Sequence, residues 1–101
     1  LHMLKIVLCC GSGASSGFMA QNIKKAARKK GMEIDVTARS ESLIESFLVG
    51  TDIVLIAPHL IAESELIRKR CQGVPAIVID RRSYGMLDGD AVLTQLLDAL
   101  K

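Results

Sequence analysis

Three short runs that are apolar almost without alternation govern what this chain can become: Leu4-Lys5-Ile6-Val7-Leu8-Cys9, Asp52-Ile53-Val54-Leu55-Ile56-Ala57 and Ala76-Ile77-Val78-Ile79. A strand with one wet face alternates apolar and polar residues, whereas a strand covered on both faces does not, and the second pattern belongs to parallel sheets. Gly11 follows the first run and Pro58 the second, where proline cannot continue a central ladder. Residues 33–38 form a fourth, more polar run that reads as an edge strand. Between the runs lie helical patterns. Phe18, Met19, Ile23, Ala26 and Ala27 fall on one face of the first, with Lys24, Lys25, Arg28, Lys29 and Lys30 on the rest and Gly31 as its stop. Residues 40–49 predict a second helix with Leu43, Ile44, Phe47 and Leu48 inward and Ser42/Glu45 as a capping pair, ended by Gly50. A third runs to Arg70 or Cys71 ahead of Gly73. Residues 85–89 read as a loop. The last helix, 90–100, turns Val92, Leu93, Leu96, Leu97 and Leu100 inward. One helix after every strand gives an α/β fold: a single doubly wound domain, its four-stranded parallel sheet covered by helices on both faces.

The 101 residues suffice for one domain, expected over 3–101, with Leu1-His2 ahead of Met3 set aside as a cloning remnant. Half the residues are hydrophobic and the formal charge is only +2, which excludes intrinsic disorder. Thirteen basic against eleven acidic residues, with Phe18, Phe47 and Tyr84 as the only aromatics, exclude a dedicated nucleic-acid binder. No run approaches the length of a membrane span or has the layout of a signal peptide. Cys9, Cys10 and Cys71 are odd in number and two are adjacent, a poor disulfide framework that suits a reducing cytoplasm. A cytoplasmic location is therefore expected.

In open parallel sheets, ligands bind beyond the carboxyl ends of the strands. Four places qualify: residues 9–17, the turn at Arg39, Pro58-His59, and residues 81–88. The first carries the most information, because Cys10-Gly11-Ser12-Gly13-Ala14-Ser15-Ser16-Gly17 joins a buried strand to a helix start. Glycines let successive amides curl inward as an anion nest, the helix start adds unpaired N–H groups, and serines add hydroxyl donors. Such a loop suits a phosphate-like dianion. A thiol at its mouth has its thiolate stabilised and becomes a phosphoryl acceptor. Strand residues alternate in direction, so Cys9 is expected to pack under a helix and Cys10, at the strand-to-loop switch, to turn into the loop. The bland alternative, two small core cysteines beside a tight turn, does not require three glycines interleaved with three serines.

Rival loops fit less well. A Walker A loop needs a Gly-Lys-Ser/Thr ending, and no lysine stands between Lys5 and Lys24. A dinucleotide fingerprint needs its third glycine one residue before Gly17, although Arg39 could meet a ribose phosphate. A low-molecular-weight cysteine phosphatase would carry an arginine six residues after the nucleophile, where Ser16 stands; without that clamp on the transferring group, relay is favoured over hydrolysis. A non-catalytic anion-binding regulatory domain is the non-enzymatic alternative.

The segment Ile6 to Ala20, with Asp52 to His59, Val78-Ile79-Asp80, Tyr84-Gly85 and Asp88-Gly89, resembles the IIB components of the lactose/cellobiose class of the bacterial sugar phosphotransferase system. The likeness spans 3–101. It implies a phosphocysteine–sugar phosphotransferase with Cys10 as the phosphocysteine and residues Gly11, Ser12, Gly13, Ala14, Ser15, Ser16 and Gly17 as the phosphate loop. The implied partners are a phosphohistidine IIA protein, a membrane IIC permease that holds the chain transiently at the membrane, and a sugar of the β-linked disaccharide type. No cofactor and no metal are called for. His59 and Arg82 are candidate supporting groups at the same edge, weighed against a helix-capping imidazole and a solvated arginine pair with Arg81. Arg81-Arg82 stands where the family is expected to be less charged, so the partner surface is expected to differ. Asp80 and Asp88 have no sign of acid–base work, and Lys24 to Lys30 reads as a solvated helix face.

Overall fold

The computed structural model describes residues 3–11 and 15–101. Its elements are β1 (Leu4–Cys10), α1 (Ser15–Lys29), β2 (Ile34–Ser40), a 3₁₀ turn (Glu41–Leu43), α2 (Ile44–Phe47), β3 (Ile53–Ile56), a 3₁₀ stretch (Pro58–Glu63), α3 (Ser64–Arg70), β4 (Ala76–Val78), α4 (Arg81–Gly85) and α5 (Gly89–Ala99). The four strands are parallel in the order β2-β1-β3-β4. Register brings Cys9 level with Arg39 on one side and Ile56 on the other, and Cys10 level with Ser40.

Alternation along the central strands sorts the core into two layers. Ile6 and Leu8 of β1, with Ile53 and Leu55 of β3, pack against Met19 and Ile23 of α1 and Val92, Leu93 and Leu96 of α5. Val7 and Cys9, with Val54 and Ile56, pack against Ile44 and Phe47 of α2 and Ile67 of α3. This doubly covered sheet is why β1 and β3 lack alternation in sequence.

Several expectations need correction. Phe18 is 67% exposed. At 100° per residue it lies opposite Met19, Ile23, Ala26 and Ala27, which are the inward face. The expected helix over 40–49 is a 3₁₀ turn followed by the single turn α2, and Leu43 is exposed. Its cap is Ser40, whose hydroxyl accepts from the Ser42 N–H, while Glu45 pairs with Arg70 rather than with Ser42. Gly50 takes φ +80° just beyond, a conformation that costs glycine little. The third helix begins as 3₁₀ at Pro58, whose missing N–H suits a helix start. β4 is half-buried rather than buried, being three residues long at the sheet edge. Within the expected loop region, Gly85 closes the short helix α4, and α5 begins at Gly89. β2 is the expected edge, though it runs to Ser40.

Candidate functional site: a thiol at the start of a helix

Cys10 ends β1, and its even position turns the side chain towards the α1 layer. The Sγ atom lies 3.2 Å from Ser16 Oγ and 3.6 Å from the Arg39 carbonyl oxygen. A thiol has one proton, so it donates to one of these oxygens at a time; once ionised, it can only accept, and the rotatable Ser16 hydroxyl can then donate to it. Ser16 is itself buried, in the first turn of a fifteen-residue helix. The first N–H groups of that helix have no intrahelical acceptor and carry the positive end of its dipole. Cys10 is 6% exposed, so its sulfur is held within the fold beside Ser16 and the Arg39 carbonyl rather than extended into solvent.

Cys9 occupies the opposite environment. It is fully buried between Ile44, Phe47 and Ile67, on the other face of the sheet from Ser16. Burial above all, then the charges of Glu41, Cys10 and Cys71, pushes its pKa up to about 12. Adjacent in sequence, the two cysteines do not share a site. Cys71 is also fully buried in the Cys9 layer, and burial raises its pKa too.

A second wall comes from the β3 connection. A Cβ placed on Gly11 would stand 3.7 Å from His59 Nε2 and 3.8 Å from Leu60 Cδ2, so the imidazole lies over the backbone next to Cys10. His59 meets the Tyr84 ring edge-on, with centroids 6.3 Å apart at 63°. Pro58, His59, Arg81, Tyr84 and Gly85 line an open groove of about 300 Å³. Tyr84 Oη is buried without a hydrogen-bond partner among the described residues.

The structure thus brings together Cys10, Gly11, Ser16 and His59. Ser15 opens α1, and Gly17 lies on its exposed side with open space where a Cβ would go. Ser12, Gly13 and Ala14 lie outside the described residues. Arg82 is exposed on α4, and its side chain makes no hydrogen bond or ion pair among the described residues. Asp80 and Asp88 are helix caps, accepting from Ser83 N and Ala91 N. Hydrogen bonds from the Ser83 N–H and hydroxyl hold the Asp80 carboxyl below its ordinary range. The Arg39 carbonyl and the Tyr84 ring were not foreseen as contacts. The carbonyl could be found only from the β1–β2 register, and the ring only from the path of α4. No cluster of three metal-ligating side chains occurs among the described residues, and none of their helices is long and apolar enough to cross a membrane.

A cysteine ending the central strand beneath a helix start is a specific arrangement, and the family model described as "PTS system, Lactose/Cellobiose specific IIB subunit" matches residues 5–95. The chain belongs to this IIB family. Among curated IIB relatives, the galactose-specific EIIB component of Lactococcus lactis subsp. cremoris is 33% identical over 87% of this chain and 88% of its own length. The oligo-beta-mannoside-specific EIIB component of Bacillus subtilis is 32% identical over 97% of each. The solution structure of the cellobiose-specific IIB component from Borrelia burgdorferi superposes with a TM-score of 0.76 at 28% identity, covering 98% of this chain and 93% of that one. As a IIB component, the chain is a sugar-specific part of a phosphotransferase system.

Proposed function

We propose that Cys10 is the phosphoryl carrier of this IIB component, and that residues 3–101 act as one IIB domain. The observation that carries this reading is the placement of Cys10 Sγ 3.2 Å from Ser16 Oγ at the N-terminal turn of α1. The thiolate attacks the phosphorus of a phosphohistidine on a IIA protein: the S–P bond forms, the N–P bond breaks and the imidazole leaves. A hydroxyl of a sugar held by a membrane IIC protein then attacks the same phosphorus. The O–P bond forms, the S–P bond breaks, and the hydroxyl proton passes to solvent or the leaving thiolate. Such transfer is dominated by positioning and charge stabilisation.

Backbone N–H groups from Gly11 through Ser12, Gly13, Ala14, Ser15 and Ser16 to Gly17 hold the phosphoryl oxygens, with the serine hydroxyls as additional donors. His59 and Arg82 support the added charge from the β3 and β4 sides. The sugar is a β-linked disaccharide, and the protein works in the cytoplasm, meeting the membrane through IIC. The named relatives differ in sugar, galactose against oligo-beta-mannoside, at nearly equal identity to this chain.

The test is labelling by phosphorylated IIA. Cys10→Ser abolishes labelling and Cys9→Ser preserves it; the reverse outcome overturns the assignment.

A further inference from the structure

The first thirty-two residues carry no acidic side chain, and five of the chain's thirteen basic residues, Lys24, Lys25, Arg28, Lys29 and Lys30, crowd into seven of those positions. The rest of the chain holds eight basic residues against eleven acidic, so positive charge is concentrated on α1 rather than spread. At 100° per residue, Phe18, Lys25 and Lys29 share the outward face of the helix, with Lys24 and Arg28 along its flank. Lys24–Arg28 and Lys25–Lys29 are like charges at i,i+4 spacing, which destabilise a helix where acidic partners would support it. Asp90 of α5 pairs with Lys29 at 3.1 Å, and no ion pair neutralises Lys24, Lys25, Arg28 or Lys30 among the described residues.

These cations form one continuous stripe. Lys25, Arg28 and Lys29 line an open depression of about 530 Å³; Lys24 and Arg28 line the next, of about 410 Å³, with Met3, Met32, Glu33 and Ile34. Arg28 is common to both. Exposed apolar side chains flank the stripe: Met3, 53% exposed, within the second depression, and Phe18, two helical turns before Lys25. The acidic groups facing it are Glu33, Asp90 and Asp88, the last capping α5 and sharing a cavity with Lys25 and Lys29. They do not cancel the five cations.

What covers such a face follows from which cations it uses. Protein interfaces favour arginine, whose planar fork pairs with carboxylates, and are depleted in lysine. Here four of the five are lysines, flexible and strongly hydrated point charges, on the convex side of a helix. That set suits a diffuse anionic surface with an apolar layer beneath it.

We infer that the outer face of α1 binds an anionic phospholipid surface weakly and reversibly, with Phe18 and Met3 entering the headgroup layer. The inference goes beyond the carrier reading and does not depend on it. Ser16, two residues before Phe18, touches Cys10, so a chain lying on this face keeps the Cys10 edge of the sheet beside the membrane.

Sedimentation with vesicles is the test. The protein binds vesicles containing about 30 mol% phosphatidylglycerol at about 20 mM salt and does not bind pure phosphatidylcholine; about 300 mM salt weakens the binding about tenfold or more. At about 100 mM salt, where screening confines the effect to nearby charges, Lys25→Gln and Arg28→Gln each weaken binding about fivefold. Lys69→Gln, on α3 across the sheet, changes it by less than about twofold. The chain has no tryptophan, so a single one reports its own surroundings. Emission of Phe18→Trp shifts to the blue on adding the anionic vesicles, while that of Leu66→Trp, similarly exposed on α3, does not. No binding to the anionic vesicles, equal binding to phosphatidylcholine, equal losses for Lys25→Gln and Lys69→Gln, or a shift in Leu66→Trp rather than Phe18→Trp would each overturn the inference. So would tighter binding to soluble polyglutamate than to the vesicles, since the face would then fit an acidic polypeptide. None of these readouts uses labelling by IIA, so failure here leaves the carrier reading standing.

Discussion

The Cys10 sulfur and the Ser16 hydroxyl lie 3.2 Å apart, joining the last residue of β1 to the first turn of α1. The contact couples the proposed phosphoryl carrier to the first turn of the helix proposed to hold the phosphoryl oxygens. A hydrogen bond to a charged group contributes about 1.5–3 kcal/mol, against about 1 for a neutral pair. Ser16→Ala therefore slows iodoacetamide alkylation of Cys10 at fixed pH, and its labelling by phosphorylated IIA, by about two- to thirtyfold. Peptide-resolved alkylation kinetics measure this; equal rates would show that the hydroxyl does not stabilise the thiolate.

Cys9 provides a pH signature. Its folded pKa of about 12 lies above that of an unfolded thiol near 8.5, so the folded state retains a proton that the unfolded state loses. The stability this contributes is complete below about pH 8.5 and is lost as pH rises towards 12. The total is on the order of 5 kcal/mol. Urea unfolding at a series of alkaline pH values should show a shallower decline for Cys9→Ala than for the unaltered protein. Parallel declines would remove Cys9 as the cause.

Glu45 works in the opposite direction. The Arg70 guanidinium, donating to both carboxylate oxygens at 2.9 and 2.7 Å, holds its pKa at about 2. A depressed carboxylate stabilises the fold above the unfolded value near 4.3, and that contribution is lost as pH falls towards 2. The pair is solvent-accessible, so the effect is small and weakens with salt. Thermal melts should show Glu45→Gln with a flatter acid limb at low ionic strength, the difference vanishing near 1 M salt on the screening scale of about 3 Å.

Two glycines separate packing from chemistry. A Cβ on Gly89 would sit 2.2 Å from the Asn22 carbonyl oxygen and 2.8 Å from the Ile23 nitrogen, both α1 backbone. Gly89→Ala must push α5 away from α1 and should cost about 1–3 kcal/mol in urea unfolding. Around Gly17 the same addition meets nothing within 4 Å, so Gly17→Ala leaves stability unchanged or raises it by up to about 1 kcal/mol. Comparable losses for the two would contradict the close α1–α5 approach.

The strand–helix alternation was legible because β1 and β3 bury both faces, which leaves an unalternating apolar run for each. Their parity also separates Cys9 from Cys10. Phe18 misled because an aromatic beside Met19 looks like core, whereas the register of Met19, Ile23, Ala26 and Ala27 excludes it. The stretch 40–49 misled because Ser42 and Glu45 have capping-box spacing, but a long-range arginine, Arg70, takes the glutamate. Gly89 showed no local signal, since its constraint is the backbone of a helix more than sixty residues earlier. The His59–Tyr84 contact depends likewise on how two connections fold over one strand edge.

Peptide mapping by mass spectrometry after incubation with phosphorylated IIA tests the central claim most directly. The phosphoryl group should be found on the sulfur of Cys10 and on no other side chain. Finding it on His59 or Cys9, or finding none while the donor remains fully phosphorylated, would contradict the carrier role.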